Sequence, residues 1–428
     1  MVRKGPSKSG KQVYLYPSGF AGMALYFHKL ANAIQKNGVD VTLFAYKNYE
    51  LDYLPTLFQK RKVLSTGSLS FQYKQSRLIK IFRIAGARFH NLLLFYRAVI
   101  HDRPQIAHIQ ELFYPLDWIL FYLLSKTSSR LVLTVHDVLP HKFYTRSFTF
   151  LEMKILHYIY QWADQLIVHS EANRRQLLSL FKVSPYKVIV IPHGEYSLKE
   201  LDIDLSKKAA KKCLNLSPQD KVILFFGHIR QDKGLDILLH AFQGVLSREK
   251  QATLVIAGLP MQGESFEKYE QLINHLGLQS KVHCFLTYID TKDIPKYFQA
   301  ADFICLPYTR FFSQSGVLHL AQGFGRAVIV SEVGGLAEVI SSGLNGLIVP
   351  PGNISKLQEA MIYLLKNPSI CQKMGEEALR TSQEQFSWPR IAQKTIRLAY
   401  RLGDDIEGTM NPVMIHDKEA HSQANSHI

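Results

Sequence analysis

The chain has 428 residues, enough for two or three domains, and 47% of them are hydrophobic against 20% charged, a balance that excludes wholesale disorder. Its 51 Lys and Arg against 35 Asp and Glu give a formal net charge of +16. The excess is local, since residues 1–103 hold 17 basic and four acidic residues and the remainder 34 and 31.

Short apolar runs alternate with amphipathic helix-length segments from Val13 to about Leu365. Strands are expected at Val13–Tyr16, Asp40–Ala45, Ile106–Ile109, Leu131–His136, Gln165–His169 and Val188–Ile191. After a gap they resume at Val222–Phe226, Thr253–Ala257, Val282–Leu286, Phe303–Leu306, Ala327–Val330 and Gly346–Val349. This alternation implies parallel sheets covered on both faces. The polar stretch from Glu195 to Lys221, with Lys207, Lys208, Lys211 and Lys212, reads as a linker between two α/β units. A last helix is expected from Ser387 to Arg401, followed by a disordered polar tail from Gly403 to Ile428. The resulting division is 1–198, 199–385, a crossover helix at 386–402 and the tail at 403–428.

Cys213, Cys284, Cys305 and Cys371 lie far apart without a CxxC pair, which speaks against a disulfide framework or thiolate metal site and fits a reducing cytosol. Leu116 to Leu124 is interrupted by Asp117 and falls short of the ~18–20 apolar residues of a membrane span. Pro17-Ser18-Gly19 breaks the first apolar stretch, so a signal peptide is not expected. A cytosolic protein, able to touch the inner face of a membrane, is the expectation.

Two loops carry the chemistry. Phe226-Gly227 ends a strand, and Arg230 and Lys233 then precede Gly234 and an apolar helix. Two fixed cations beside a helix start suit a diphosphate, because Arg binds it bidentately and Lys acts as a point charge. The second loop, Pro307 to Leu318, contains Ser313-Gln314-Ser315-Gly316 before another helix. Ser313 and Ser315 are natural caps, Gly316 allows close approach, and the helix start offers N–H groups to an anion. No HxH or HExxH spacing and no cluster of Asp and Glu indicates a metal site, so a metal-independent reaction without a cofactor is expected.

The second half of the chain resembles the nucleotide-sugar domain of retaining glycosyltransferases of family 4, which have the GT-B fold. The resemblance rests on Gly227–Leu239, Ala321–Val330, Val333-Gly334-Gly335-Leu336 with Glu338, and Asn345–Pro350. In the first half, Gly19-Phe20-Ala21-Gly22, Thr134-Val135-His136-Asp137, Ala163-Asp164 through Ser170-Glu171, and Ile191-Pro192-His193-Gly194 are similar in order. It spans residues 13–401 and implies two Rossmann-like domains facing a central cleft, with the last helix crossing back to the first. Many members carry two glutamates eight positions apart; alignment on Ala321 places Phe312 and Leu320 there, so this chain resembles a variant lacking both.

The resemblance implies that the second domain binds a nucleoside diphosphate sugar and the first an acceptor, with retention of configuration. Arg230 and Lys233 then neutralise the leaving group, the Ser315-Gly316 helix start adds N–H donors, and in the segment Ser313-Gln314-Ser315-Gly316 either Gln314 or a backbone amide takes over part of the missing glutamates' work. His136 positions the donor sugar; Tyr288 and Ile289 are the expected base contact; Gly19 and Gly22 let the first loop approach donor and acceptor. An alternative is a catalytically silent GT-B protein that binds a glycan or scaffolds an enzyme.

A helical stripe of Phe82, Ala85, Phe89, Leu92, Leu93 and Tyr96, flanked by Arg77, Lys80, Arg83 and Arg88, suits either core packing or an anionic membrane surface. It favours a lipid-linked or membrane-bound glycan acceptor. No recognition motif points to nucleic acid.

Overall fold

The computed structural model describes residues 11–16, 22–65, 77–110, 117–139, 150–196, 205–261 and 264–402. The loop of Gly19 and the tail beyond residue 402 lie outside them.

Strand and helix alternate from the start. In the first half, β1 (Gln12–Tyr16), α1 (Gly22–Lys36), β2 (Asp40–Tyr46), β3 (Gln59–Leu64), α2 (Arg77–Asp102), β4 (Ile106–Gln110) and α3 (Asp117–Leu124) are followed by β5 (Arg130–Thr134), α4 (Phe150–Trp162), β6 (Gln165–Val168), α5 (Glu171–Leu180) and β7 (Val188–Val190). Its seven strands are all parallel, in the order β3-β2-β1-β4-β5-β6-β7. The second half runs through α6 (Lys207–Cys213), β8 (Lys221–Phe226), α7 (Leu235–Leu246), β9 (Ala252–Ala257), α8 (Glu267–His275), β10 (Val282–Phe285), α9 (Ile294–Ala300) and β11 (Phe303–Leu306). It ends with α10 (Gly316–Gly323), β12 (Ala327–Ser331), α11 (Gly334–Ala337), β13 (Leu347–Val349), α12 (Ile354–Lys366), α13 (Pro368–Gln385) and α14 (Trp388–Lys394). The second sheet is also parallel, in the order β10-β9-β8-β11-β12-β13.

All twelve expected strands form; in most of them the Val, Ile, Leu and Phe residues are buried on both faces of covered sheets, and in β7, β10 and β13 several are half-buried. The one strand without an expectation is β3, whose sequence QKRKVL is mostly solvated and offers no apolar run. It is an edge strand, and edge strands tolerate such charge. Arg61 there pairs with Asp102 at 2.7 Å and lies 5.0 Å above the Tyr14 ring.

One expectation needs correction. The stretch Glu195 to Lys221 is more than a linker, since α6 forms within it and packs on α9. Ser206 caps α6 through Ala209 N–H, and the buried Lys211 ammonium donates to the carbonyls of Pro218 and Asp220. The stripe on α2 is only partly core. Leu92, Phe95 and Val99 are buried against the sheet, whereas Phe89 is 45% exposed.

The last helix crosses back as the resemblance implies. It begins as α14 and continues as a π-helical turn, Thr395–Tyr400. Trp388 packs edge-on against Tyr26 of α1, and the Tyr400 hydroxyl lies 2.7 Å from His108 Nδ1 on β4. Gly194 is required at this junction, because a Cβ would stand 2.5 Å from the Trp388 ring.

Candidate functional site

In each sheet the strand order reverses between the first and a later strand, and loops at the carboxyl ends of the flanking strands frame a crevice. In the second sheet this point lies between β8 and β11. The loop after β8 carries Arg230 and Lys233; the loop after β11 carries Ser313 to Gly316. Opposite them stand His136, two residues beyond β5, and His193, beyond β7. Together they line a cleft of about 430 Å³. Tyr288 and Ile289 line it too, so every expected site residue from the second half comes together there. Gly22 is the first residue of α1, and Gly19 lies outside the described residues.

Backbone geometry fixes the cation loop. Gly227 and Gly234 have φ of +104° and +66°. A Cβ at Gly234 would come within 2.0 Å of the Pro307 carbonyl oxygen, so glycine there lets the two loops touch. Thr309 N–H donates to the Asp232 carbonyl at 2.9 Å and ties them together. Lys233 Nζ consequently sits 3.5 Å from the centre of the Tyr308 ring and 4.2 Å from that of Phe311. Burial, and then the charge of Arg230, push its ammonium down to about 7. Arg230 is 8% exposed and pairs with Asp232 at 3.0 Å, while its buried Nε has no partner. Two desolvated cations, one with an unmet donor, form an environment that an anion would stabilise.

The helix start departs from one expectation. Ser315 occupies the N-cap position of α10 but its hydroxyl makes no capping bond; it faces the Tyr308 hydroxyl at 3.4 Å instead. The first N–H groups of α10 therefore lack a side-chain cap.

Between the two halves lies a cluster of histidines that sequence spacing did not reveal, four of them on the facing wall and His319 on α10. His108, His136, His169, His193 and His319 come from five separate elements and are all buried. The Ile191 carbonyl can only accept, so His169 donates to it from Nδ1 at 2.9 Å. His169 Nε2 then accepts from His136 Nδ1 at 3.1 Å, which leaves His136 Nε2 as an acceptor for the Gln110 amide at 2.7 Å. His136 thus has a fixed tautomer. Burial holds its imidazole well below the ordinary histidine value, with the neighbouring histidines adding to the effect. A neutral ring so tied suits positioning rather than proton abstraction. Each histidine alone resembles any of the 17 in the chain, and only the fold gathers them.

The two halves are also stitched together beside the cleft. Ser170 donates its hydroxyl to the Phe312 carbonyl at 2.9 Å. The Glu338 carboxylate accepts from the Glu171 and Ala172 N–H groups at 2.9 and 2.8 Å, the first amides of α5. Glu338 was visible in sequence only as part of the resemblance; its role depends on the other half of the chain. Of Phe312 and Leu320, which the resemblance aligns with the two family glutamates, Leu320 is buried. Among the described residues no group of three or more His, Cys, Asp or Glu is placed to hold a metal ion.

Comparison with known proteins agrees with this geometry. The family model for Glycosyltransferase Family 4 matches residues 20–194, and that for Glycosyl transferases group 1 matches residues 206–381. An uncharacterized glycosyltransferase of Methanocaldococcus jannaschii is 30% identical over 57% of this chain and 61% of its own length. D-inositol 3-phosphate glycosyltransferase of Kribbella flavida is 28% identical over 56% of each. The matched region thus spans little more than half of these curated relatives. Sucrose-phosphate synthase from Thermosynechococcus elongatus superposes with a TM-score of 0.68 at 19% identity, covering 92% of this chain and 99% of that one. Anabaena HepE, crystallised with UDP and glucose, gives 0.68 at 17% identity, covering 92% and 100%. At these identities the structures establish the fold. Matched in both halves by family models and folded as these structures are, the chain belongs to the group 1 glycosyltransferases of the GT-B fold.

Proposed function

We propose that the protein moves a hexose from a nucleoside diphosphate sugar to a glycan, lipid-linked or polysaccharide-precursor acceptor, with retention of configuration. The observation that carries this reading is the pair Arg230 and Lys233, desolvated in a cleft that also receives the uncapped start of α10. The diphosphate lies against these groups. Negative charge grows on it as the glycosidic bond breaks, and preorganised donors in a desolvated site stabilise that charge most. No metal or cofactor takes part. Lys233, held down to about 7 while the site is free, regains its full charge beside the anion. His136 orients the sugar, Tyr288 and Ile289 hold the base, and Gly19 and Gly22 let the first loop approach the donor phosphates and the acceptor.

The acceptor is membrane-associated in this reading. Helices α3 and α4 pack side by side on the first sheet. There Trp118, Tyr122 and Tyr158 gather around Trp162 with ring centres 6.4, 5.0 and 5.7 Å away, and Phe150 is 77% exposed. Lys126 lies over Tyr122 and Lys154 over Phe150. Aromatic rings interleaved with lysines on the more basic half of the chain suit the headgroup region of an anionic bilayer. The protein then works in the cytoplasm at the inner face of the membrane. No helix among the described residues is long and apolar enough to cross one.

A second reading is favoured by Phe312 and Leu320 where glutamates are usual: a catalytically silent protein that retains the fold as a glycan-binding or scaffold subunit. A thermal-shift screen against UDP, GDP, ADP, dTDP and their sugar conjugates tests both. Saturation at about 100 times Kd adds roughly 2.7 kcal/mol of apparent stability. A shift with one nucleotide series, followed by turnover of its sugar conjugate, supports the transferase; a shift without turnover supports the scaffold; no shift with any nucleotide overturns the donor assignment.

A further inference from the structure

Gln314 lines the cleft and is 9% exposed, and its side-chain amide is oriented by two bonds to its carbonyl oxygen. Its Oε1 accepts the His193 backbone N–H at 2.7 Å, across from the other half of the chain. A backbone N–H can only donate, so this oxygen is assigned without ambiguity. The same Oε1 lies 3.3 Å from His319 Nε2, which must then be the protonated ring nitrogen. With the carbonyl held from two sides, the NH2 group is the polar end left for the cleft.

His319 is built to hold that orientation. It is fully buried on α10, its ring stacked on His193 at 5.3 Å with an interplanar angle of 21° and met edge-on by Phe386 at 5.2 Å. These contacts fix the plane of the ring. Its Nδ1 is buried without a partner, as expected for the bare nitrogen of an Nε2–H tautomer, since a buried N–H left unpaired costs more. Burial also pushes the imidazole down to about 3, which keeps the ring neutral.

We propose that His319 is a positioning residue that locks Gln314 as a hydrogen-bond donor to the anionic end of the bound substrate. The neighbourhood matches this role. Ser315, next in the chain, contacts Tyr308, and the Tyr308 ring carries Lys233, so the amide borders the same anion pocket as the two cations. Among the residues lining the cleft, Asp137 is the sole carboxylate. The ligand chemistry is therefore a group that only accepts, the oxygens of a diphosphate. The inference rests on the donor reading above.

Inorganic pyrophosphate is the probe, because it tests the anion pocket without a base or sugar. Calorimetry on the full chain should show His319→Leu weakening pyrophosphate binding three- to tenfold and His319→Gln, whose amide nitrogen reaches as far as Nε2, restoring most of it. Gln314→Glu should weaken it more than 30-fold, because a carboxylate replaces the donor at an anion site. With the sugar nucleotide that stabilises the wild type, His319→Leu should raise KM more than it lowers kcat, the pattern of a lost ground-state contact. A His319→Leu protein that binds pyrophosphate like wild type, or a His319→Gln protein no better than His319→Leu, would overturn the proposal. Unweakened binding by Gln314→Glu would do so as well, and that variant serves if His319→Leu fails to fold. Wild-type protein that does not bind pyrophosphate would instead overturn the donor reading itself.

Discussion

The two walls of the cleft are equally buried and chemically opposite. On the wall formed by β8 and β11, Arg230 and Lys233 are desolvated, and Arg230 Nε lacks a partner. On the wall formed by β5 to β7, His136 and His169 are desolvated too, yet each ring nitrogen they carry has a partner. Burial costs free energy in both places, but the histidine wall recovers it internally by staying neutral, whereas the cation wall recovers it only when an anion arrives. Burial alone therefore does not mark a binding site. Burial with an unmet donor does.

The largest effect expected from this contrast is acid lability of the buried histidines, those of the neutral wall together with His319 of α10. Burial holds His108 at about 3, His169 at about 4 and His319 at about 3, all below the unfolded value of 6.5. The unfolded chain therefore takes up protons below pH 6.5 while the folded chain stays neutral, and stability falls as pH drops through that window. At pH 5 each of the three costs about 2 kcal/mol, or about 6 kcal/mol together. Urea midpoints measured from pH 7 to pH 5 check this. A flat profile would mean that the rings are solvated and the wall is not the neutral scaffold described. Next in size, Arg230→Ala or Lys233→Ala should remove about 2–4 kcal/mol of transition-state stabilisation, read as a fall in kcat/KM, with the folding midpoint little changed. Near-wild-type transfer by both variants would break the contrast from the other side.

The same contrast explains what could be read from the sequence. The cation wall is local: Gly227, Arg230, Lys233 and Gly234 lie within eight positions, so a strand end, a cation pair and a helix start appear together. Twelve strands were legible because both faces of these sheets are buried, and a continuous apolar run survives in sequence. β3 was not, because its lysines and arginine are paid for by partners such as Asp102 that lie far along the chain. The histidine cluster was illegible for a related reason. His108, His136, His169, His193 and His319 span 211 positions, and their bonds depend on both halves and the crossover helix closing together.

A smaller effect sharpens the cation wall. Lys233 titrates near 7 when the cleft is free and higher when a diphosphate neutralises Arg230 and itself. Below pH 7 the ammonium is already protonated and affinity is level. Above pH 7 binding must take up a proton, so affinity falls by up to about tenfold per pH unit. Titrating the stabilising nucleotide at pH 7, 8 and 9 in buffers of different ionisation enthalpy should show both the loss of affinity and the proton uptake. Lys233→Arg should abolish the uptake, since a guanidinium stays charged throughout. Uptake that persists in that variant would assign the proton to another group.

The smallest expected change tests whether the histidine wall is purely internal. Tyr400 and Thr134 hold the two ring nitrogens of His108, each at 2.7 Å, and Tyr400 belongs to the crossover helix rather than to the cleft. Tyr400→Phe removes one hydroxyl and leaves His108 Nδ1 buried without a partner, at a cost of about 1–2 kcal/mol. Because the ring can remain neutral with its Nδ1 bare, the loss should stay at that level and should not reach the cation pair. Denaturant unfolding should therefore show a lowered midpoint, while nucleotide affinity stays within about twofold of wild type. An affinity loss as large as that of Lys233→Ala would mean that the crossover helix sets the geometry of both walls, and the division between a self-satisfied wall and a ligand-dependent one would no longer hold.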